Sequence, residues 1–289
     1  MIDSFYCGWK PVDIDISKQA NQKLEICEYF HSINLQRHEG FRYKMINNDF
    51  ILAKFVCVGQ YSAIKYCDTK TSKKTDTLLL EKGFTLRGSD VTIGQKNSIG
   101  AEFVYDSNEF LKMEGSNFKR PRYVIKNMKD VEFLNGYHRD MDIVAERWSK
   151  QDKSYHQIKL LNFLKLDRSL ITTRAYYKNE IIGFSIVEKI NGKNSVIIQQ
   201  LINPNIMNKL KEPNIIIHYG TCLANPDMLL NIGCARSEGI RIAKDKLVPK
   251  TMLEIKRVVS KRKLTKTEWE TLKGTRTLTT RKLCGIIRV

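Results

Sequence analysis

The stretch Ile171–Asn203, ITTRAYYKNEIIGFSIVEKINGKNSVIIQQLIN, carries the plan of the fold. β-branched and aromatic residues fill three runs, separated by Lys178-Asn179-Glu180 and Asn191-Gly192-Lys193-Asn194. Such side chains suit a pleated, half-buried surface, so the stretch predicts three consecutive antiparallel strands joined by tight turns. Asn191-Gly192 is expected to supply the positive φ values of the second turn. Gly183 stands among apolar residues in the middle run, where a glycine marks a bend or a place that a ligand or another backbone approaches closely.

Outward from there, periodicity predicts helices over Asp140–Lys150 and Ser154–Leu166 before the strands. Further upstream, Phe103-Val104-Tyr105 leads into a helix capped near Asp106 or Ser107. Near the start, one helix is expected from Ser17 through Asn34, then strands over Phe50–Val58 and Tyr61–Cys67, then a polar loop from Asp68 to Asp76. Gly83, Gly88, Gly94 and Gly100 read as turns, since they match neither Gly-x-x-x-x-Gly-Lys-Ser/Thr nor Gly-x-Gly-x-x-Gly. Downstream, Pro204 opens a short helix, Asn214–His218 and Met228–Ile232 read as buried strands, and Gly233–Lys246 supplies a turn and a helix start.

The 289 residues are 42% hydrophobic, enough for a core in one large domain or two ordinary ones. Charge is the anomaly. Lys and Arg number 49 against 31 Asp and Glu, a net +18 that attracts polyanions, chiefly nucleic acid, or an anionic membrane surface. Residues 250–289 hold twelve of those cations and three acids, a net +9, and read as a solvated basic extension able to meet phosphates. Seven cysteines, odd in number and without a Cys-x-x-Cys pair, argue against a zinc ribbon or a secreted disulfide framework, and no metal is expected. Neither a signal peptide nor an apolar run of about 18 residues is present, so a cytoplasmic protein is expected.

Two segments gather cations where anions bind. In Ser116–Asn127, Pro121 is expected to open a helix, which sets Lys119, Arg120 and Arg122 at its positive end. Cations there oppose the helix dipole until an anion settles among them and the free amides. In the second, a strand, a glycine-containing loop and a helix start carry Arg236, Gly239, Arg241, Lys244 and Lys246. Arg-Ser-Glu-Gly-Ile-Arg resembles the Arg/Gln-x-x-Gly-x-Gly/Ala loop with which acetyltransferases of the GNAT superfamily hold the coenzyme A pyrophosphate, with Arg241 standing where a small residue is expected.

The order of Phe103–Asn127, the Ile181–Gln200 hairpin with Gly183-Phe184-Ser185 and Glu188, and Asn231 followed by Gly239-Ile240-Arg241-x-x-Lys244 resembles the phosphatidylglycerol lysyltransferase C-terminal-like family, in which two GNAT-like halves are fused. The resemblance covers about residues 103–258 and implies an α+β fold: mixed, mostly antiparallel sheets flanked by helices, in halves over 1–115 and 116–249, with the basic extension at 250–289. It implies transfer of an acyl or aminoacyl group to a hydroxyl or amine, from acyl-CoA or aminoacyl-tRNA. Nucleic acid is the expected partner, as tRNA donor or as a modified base of DNA that accepts the group.

The resemblance points to Lys119, Arg120, Arg122, Gln199, Asn231, Arg241 and Lys244 as substrate contacts and to Glu188 on the hairpin, and the family's acidic residues after the asparagine are here Ile232, Gly233 and Cys234. Such a transfer needs a group that takes a proton from the nucleophile, for which Glu188 is the first candidate and His218 the second. A non-catalytic nucleic-acid-binding protein and an acyltransferase at an anionic membrane surface are the alternatives.

Overall fold

The computed structural model describes residues 3–274 except 23, 59, 67–70, 90, 92, 94–96, 208 and 236–237. In chain order its strands are β1 (Lys10–Pro11), β2 (Arg42–Ile46), β3 (Asp49–Val58), β4 (Gln60–Tyr66), β5 (Phe84–Gly88), β6 (Asn97–Asp106), β7 (Val131–Asn135), β8 (Ile171–Tyr177), β9 (Glu180–Lys189), β10 (Asn194–Ile202), β11 (Leu229–Cys234) and β12 (Thr251–Val258). The α-helices are α1 (Ile14–Asn21), α2 (Ile33–His38), α3 (Lys73–Glu81), α4 (Ser107–Lys112), α5 (Lys119–Lys126), α6 (Asp140–Asp152), α7 (His156–Leu164), α8 (Pro213–Ala224), α9 (Glu238–Asp245) and α10 (Lys266–Leu272). The fold is α+β, with mixed, mostly antiparallel pairing.

The chain divides into two units: Met1–Asn21, Glu39–Ile99 and Glu254–Val289 form one, Gln22–His38 and Gly100–Leu253 the other. These limits differ from the expected 115/116 and 249/250. β6 pairs with β11, which carries residues 100–106 into the second unit. β12 pairs with β5, and Ile255, Val258, Leu264 and Leu272 are buried, so residues 254–274 of the expected basic extension are built into the first unit instead of lying solvated. The end of that extension, from 275 on, lies outside the described residues.

In the first unit the strand order is β1-β2-β3-β4-β5-β12, antiparallel except for the β4–β5 pair. Its core gathers Trp9, Phe55, Phe84, Ile51 and Leu79. α3 occupies part of the expected polar loop, because the Ser72 side chain accepts the Thr75 amide and caps it. The helix expected over residues 17–34 is instead α1, a 3-10 turn at Tyr29–His31, and α2.

In the second unit the order is β6-β11-β10-β9-β8-β7, antiparallel except for β10–β11. β8, β9 and β10 are the three predicted strands. β9 is buried along nearly its whole length, as its apolar run requires of a strand covered on both faces. Phe184 and Ile186 pack with Met141, Val144 and Leu161 of α6 and α7, while Val187 packs with Ile215 of α8. A bulge leaves Ile182 between the Ala175–Gly183 and Tyr176–Ile181 pairs, which turns its side chain toward Ile216 and Ile217 of α8. Gly183 answers to another backbone: a Cβ there would lie 2.3 Å from the Leu201 carbonyl oxygen of β10.

The turns correct one expectation. Positive φ falls on Lys178 and Asn179 in the β8–β9 turn, and not on Asn191-Gly192. In the latter turn the Asn191 side chain accepts the Lys193 and Asn194 amides, closing it without a left-handed residue. A larger correction concerns Asn214–His218, which is helical within α8. Ile215–Ile217 are all buried, and a short apolar run has the same composition in a buried helix as in a buried strand.

Candidate functional site

The expected catalytic pair is committed to the fold. The Glu188 carboxylate accepts the Ser32 hydroxyl at 2.6 Å, the Ile33 amide at 3.2 Å and the Asn34 amide at 3.1 Å, which satisfies the first turn of α2. Burial raises its carboxyl above the ordinary range, offset in part by those bonds. His218 is fully buried between the rings of Tyr105 and Phe110, with centroids 4.7 and 4.6 Å away. Neither of its ring nitrogens has a hydrogen-bond partner among the described residues.

Burial lowers the His218 pKa from 6.5 to about 3, which makes a stability prediction. The unfolded chain takes up a proton below pH 6.5 that the folded chain refuses, so stability is full above that value and declines toward pH 3. By pH 5 this group accounts for a loss of about 2 kcal/mol. His218→Leu is expected to flatten the acid limb between pH 6.5 and 5, measured by urea unfolding; an unchanged limb would contradict burial of a neutral ring.

Among the described residues after β11, Gly239, Arg241 and Lys244 do not gather as a phosphate cradle. Arg241 is exposed and spends its guanidinium on Glu238 and Asp245 of its own helix. Lys244 donates to the carbonyls of Ile232 and Gly233 at 2.7 Å and of Cys234 at 3.1 Å, fastening the end of β11. Gly239 is exposed with no heavy atom near a built Cβ, and Arg236 lies outside the described residues.

Asn231 and Gln199 are likewise internal. Asn231 donates to the Cys27 carbonyl and to Glu102, and Gln199 donates to Gln157. Beyond Val196 and Asn231 the parallel strands β10 and β11 have no further pairs, and the Tyr29–His31 turn contributes Tyr29 to the gap. Its hydroxyl donates to the Ile198 carbonyl at 2.6 Å, its amide to Glu102 at 2.6 Å, and its ring lies 2.9 Å from where a Cβ of Gly233 would stand. Arg241, at the close-approach position of the expected coenzyme A loop, is engaged within its own helix.

The basic segment before residue 127 and the connection from β10 to α8 together line a cavity of about 890 Å³. α5 starts at Lys119, so Pro121 is its third residue and not its first as expected; an interior amide is absent there at no cost, because the first turn has no intrahelical acceptor for it. α5 supplies Lys119, Arg120 and Tyr123, and the connection supplies Met207, Lys209, Lys211 and Glu212. Four cations thus face one carboxylate. Arg120 pairs with Glu212, which also takes Lys246 at 3.0 Å, and Lys209 pairs with Glu180 at 2.6 Å. Burial acts to raise the Glu212 carboxyl, and Arg120 and Lys246 outweigh it, holding it below the ordinary range. Lys119 and Lys211 have no ion-pair partner among the described residues. Arg122 points elsewhere, donating to the Met113 and Gly115 carbonyls behind α4.

Of the expected contacts, then, Lys119 and Arg120 line this cavity and Lys246 reaches it through Glu212. Lys209, Lys211 and Glu212 escaped notice in the sequence. The signal was Glu212-Pro213, a proline suited to the first turn of a helix, which the strand reading of Asn214–His218 obscured.

No family model matches the sequence, and no curated protein sequence does. Solved structures do match in fold. A conserved protein of unknown function from Bacteroides thetaiotaomicron superposes with a TM-score of 0.69 at 16% identity, over 88% of this chain and 100% of that one. L-PGS from Bacillus licheniformis gives 0.61 at 14% identity, over 92% and 97%. FemX gives 0.59 at 8% identity, over 92% and 100%. The chain has the GNAT-like fold of the lysylphosphatidylglycerol synthetase C-terminal type. Among the described residues no helix is long and apolar enough to cross a membrane.

Proposed function

We propose that this chain is an aminoacyl- or acyltransferase whose donor is a polyanion, aminoacyl-tRNA, taken up at the cavity between α5 and the β10–α8 connection. The observation that carries this is the cation excess of that cavity, with Lys119 and Lys211 unpaired and available to phosphate oxygens. The shared fold supports the reaction class. The engagement of Arg241 and Lys244 within the fold weighs against coenzyme A as the donor's handle.

In the transfer, an acceptor amine or hydroxyl attacks the ester carbonyl, a new C–N or C–O bond forms, and the ribose oxygen leaves with the proton balance closed by solvent. Lys119, Arg120, Lys209 and Lys211 hold the donor's phosphates. Glu212 is the sole carboxylate lining the cavity among the described residues, and its two cations make it a weak base. Catalysis on this reading rests on positioning, and it favours an acceptor that arrives as a neutral amine. A base of DNA as acceptor would need extrusion from the duplex, at a few kcal/mol.

The test is transfer from tRNA charged with labelled amino acids, in a cell extract that supplies acceptors. Label should move from tRNA into a product that mass spectrometry identifies, and the Lys119→Glu/Lys211→Glu protein should not move it. A second reading, binding without catalysis, is favoured by the burial of Glu188 and His218. Tight tRNA binding with the ester left intact would select it.

A further inference from the structure

Lys119, Tyr123 and Lys126 recur at i, i+4 and i+7 along α5 and so share one face of the helix. All three are exposed, and Tyr123 exposes 63% of its surface at the edge of the cavity. Among the described residues none of these three side chains has a hydrogen-bond or ion-pair partner. No core cluster among the described residues includes the aromatic ring. An exposed aromatic between two cations is the arrangement that grips a nucleotide: phosphates lie on the charges and an unstacked base lies on the ring.

We infer that Tyr123 is a base-stacking platform, and that the cavity takes a single-stranded nucleic-acid end, not a duplex. The inference rests on the polyanion reading of the same site. A cavity of about 890 Å³ has room for a nucleotide or two. A duplex keeps its bases stacked on one another, so it can meet the lysines and offers the ring nothing. Stacking on a side chain also tolerates any base, so Tyr123 selects strandedness and leaves sequence unread.

The experiment measures fluorescence anisotropy of the full-length protein with a labelled 12-nucleotide RNA, with the same RNA annealed to its complement, and with phosphatidylglycerol vesicles as competitor. The single strand is expected to bind at least tenfold more tightly than the duplex. Tyr123→Ala should weaken the single strand about tenfold and leave the duplex unchanged, and Tyr123→Trp should restore it. Equal losses on both forms, or no loss on the single strand, would overturn the assignment. So would vesicle binding that depends on Tyr123 while RNA binding does not, which would make the face a lipid contact. The two readings separate in the transfer assay. Tyr123-dependent binding without transfer leaves this inference standing and removes the enzyme; transfer with a KM unmoved by Tyr123→Ala does the reverse.

Discussion

Reversing charge at Lys119 and Lys211 is expected to lower affinity for tRNA by about two orders of magnitude near 50 mM salt. Both side chains are unpaired, so the substitutions remove two phosphate contacts and add two repulsions while breaking no internal bond. The slope of log K against log salt should shrink by about 1.4, two contacts at roughly 0.7 each for a single strand. The melting temperature should stay within about 1 °C, since exposed lysines away from buried features change stability little. Filter binding across a salt series checks the first two, and a thermal melt the third. Unaltered affinity would mean that the net +18 of the chain meets polyanions elsewhere.

Glu188→Ala is expected to cost about 4 kcal/mol of stability, because three buried donors at the start of α2 lose their acceptor together. In a unit of this size that lowers the melting temperature by about 10 °C. Glu188→Gln keeps one acceptor oxygen and should fall between. Because the carboxylate is consumed by Ser32, Ile33 and Asn34, the folded Glu188→Gln protein should transfer at close to the normal rate. Loss of transfer at an unchanged melting temperature would instead make Glu188 the base, and the positional account of catalysis would fail.

The hairpin of Ile171–Asn203 was legible because its β-branched and aromatic runs and their punctuation are local, and each of the three strands lies where the sequence places it. The helix before it and β11 after it were legible for the same reason. What local pattern cannot carry is long-range exchange. Nothing near Tyr29 announces that it sits where β10 and β11 part, or that Glu188 meets the start of a helix 154 residues upstream. Ile215–Ile217 were misassigned because total burial erases the periodicity that separates helix from strand.

Part of the candidate cavity's lining was legible. Lys119 and Arg120 were singled out through charge and a helix start and line the cavity, whereas Glu188 came from the resemblance and His218 from residue type, neither of which says whether a carboxylate or imidazole is already spent. The same limit applies to Arg241 and Lys244: their charge suggested phosphate, and their actual partners are Glu238, Asp245 and the carbonyls ending β11.

The location of the donor is open to one direct measurement, hydrogen–deuterium exchange of the full-length protein with and without tRNA at low salt. Slowed exchange is expected to concentrate in residues 116–126 and 209–212, which line the basic cavity, and to disappear in the Lys119→Glu/Lys211→Glu protein. Slowed exchange confined to residues 251–274, or spread evenly over the chain, would contradict it.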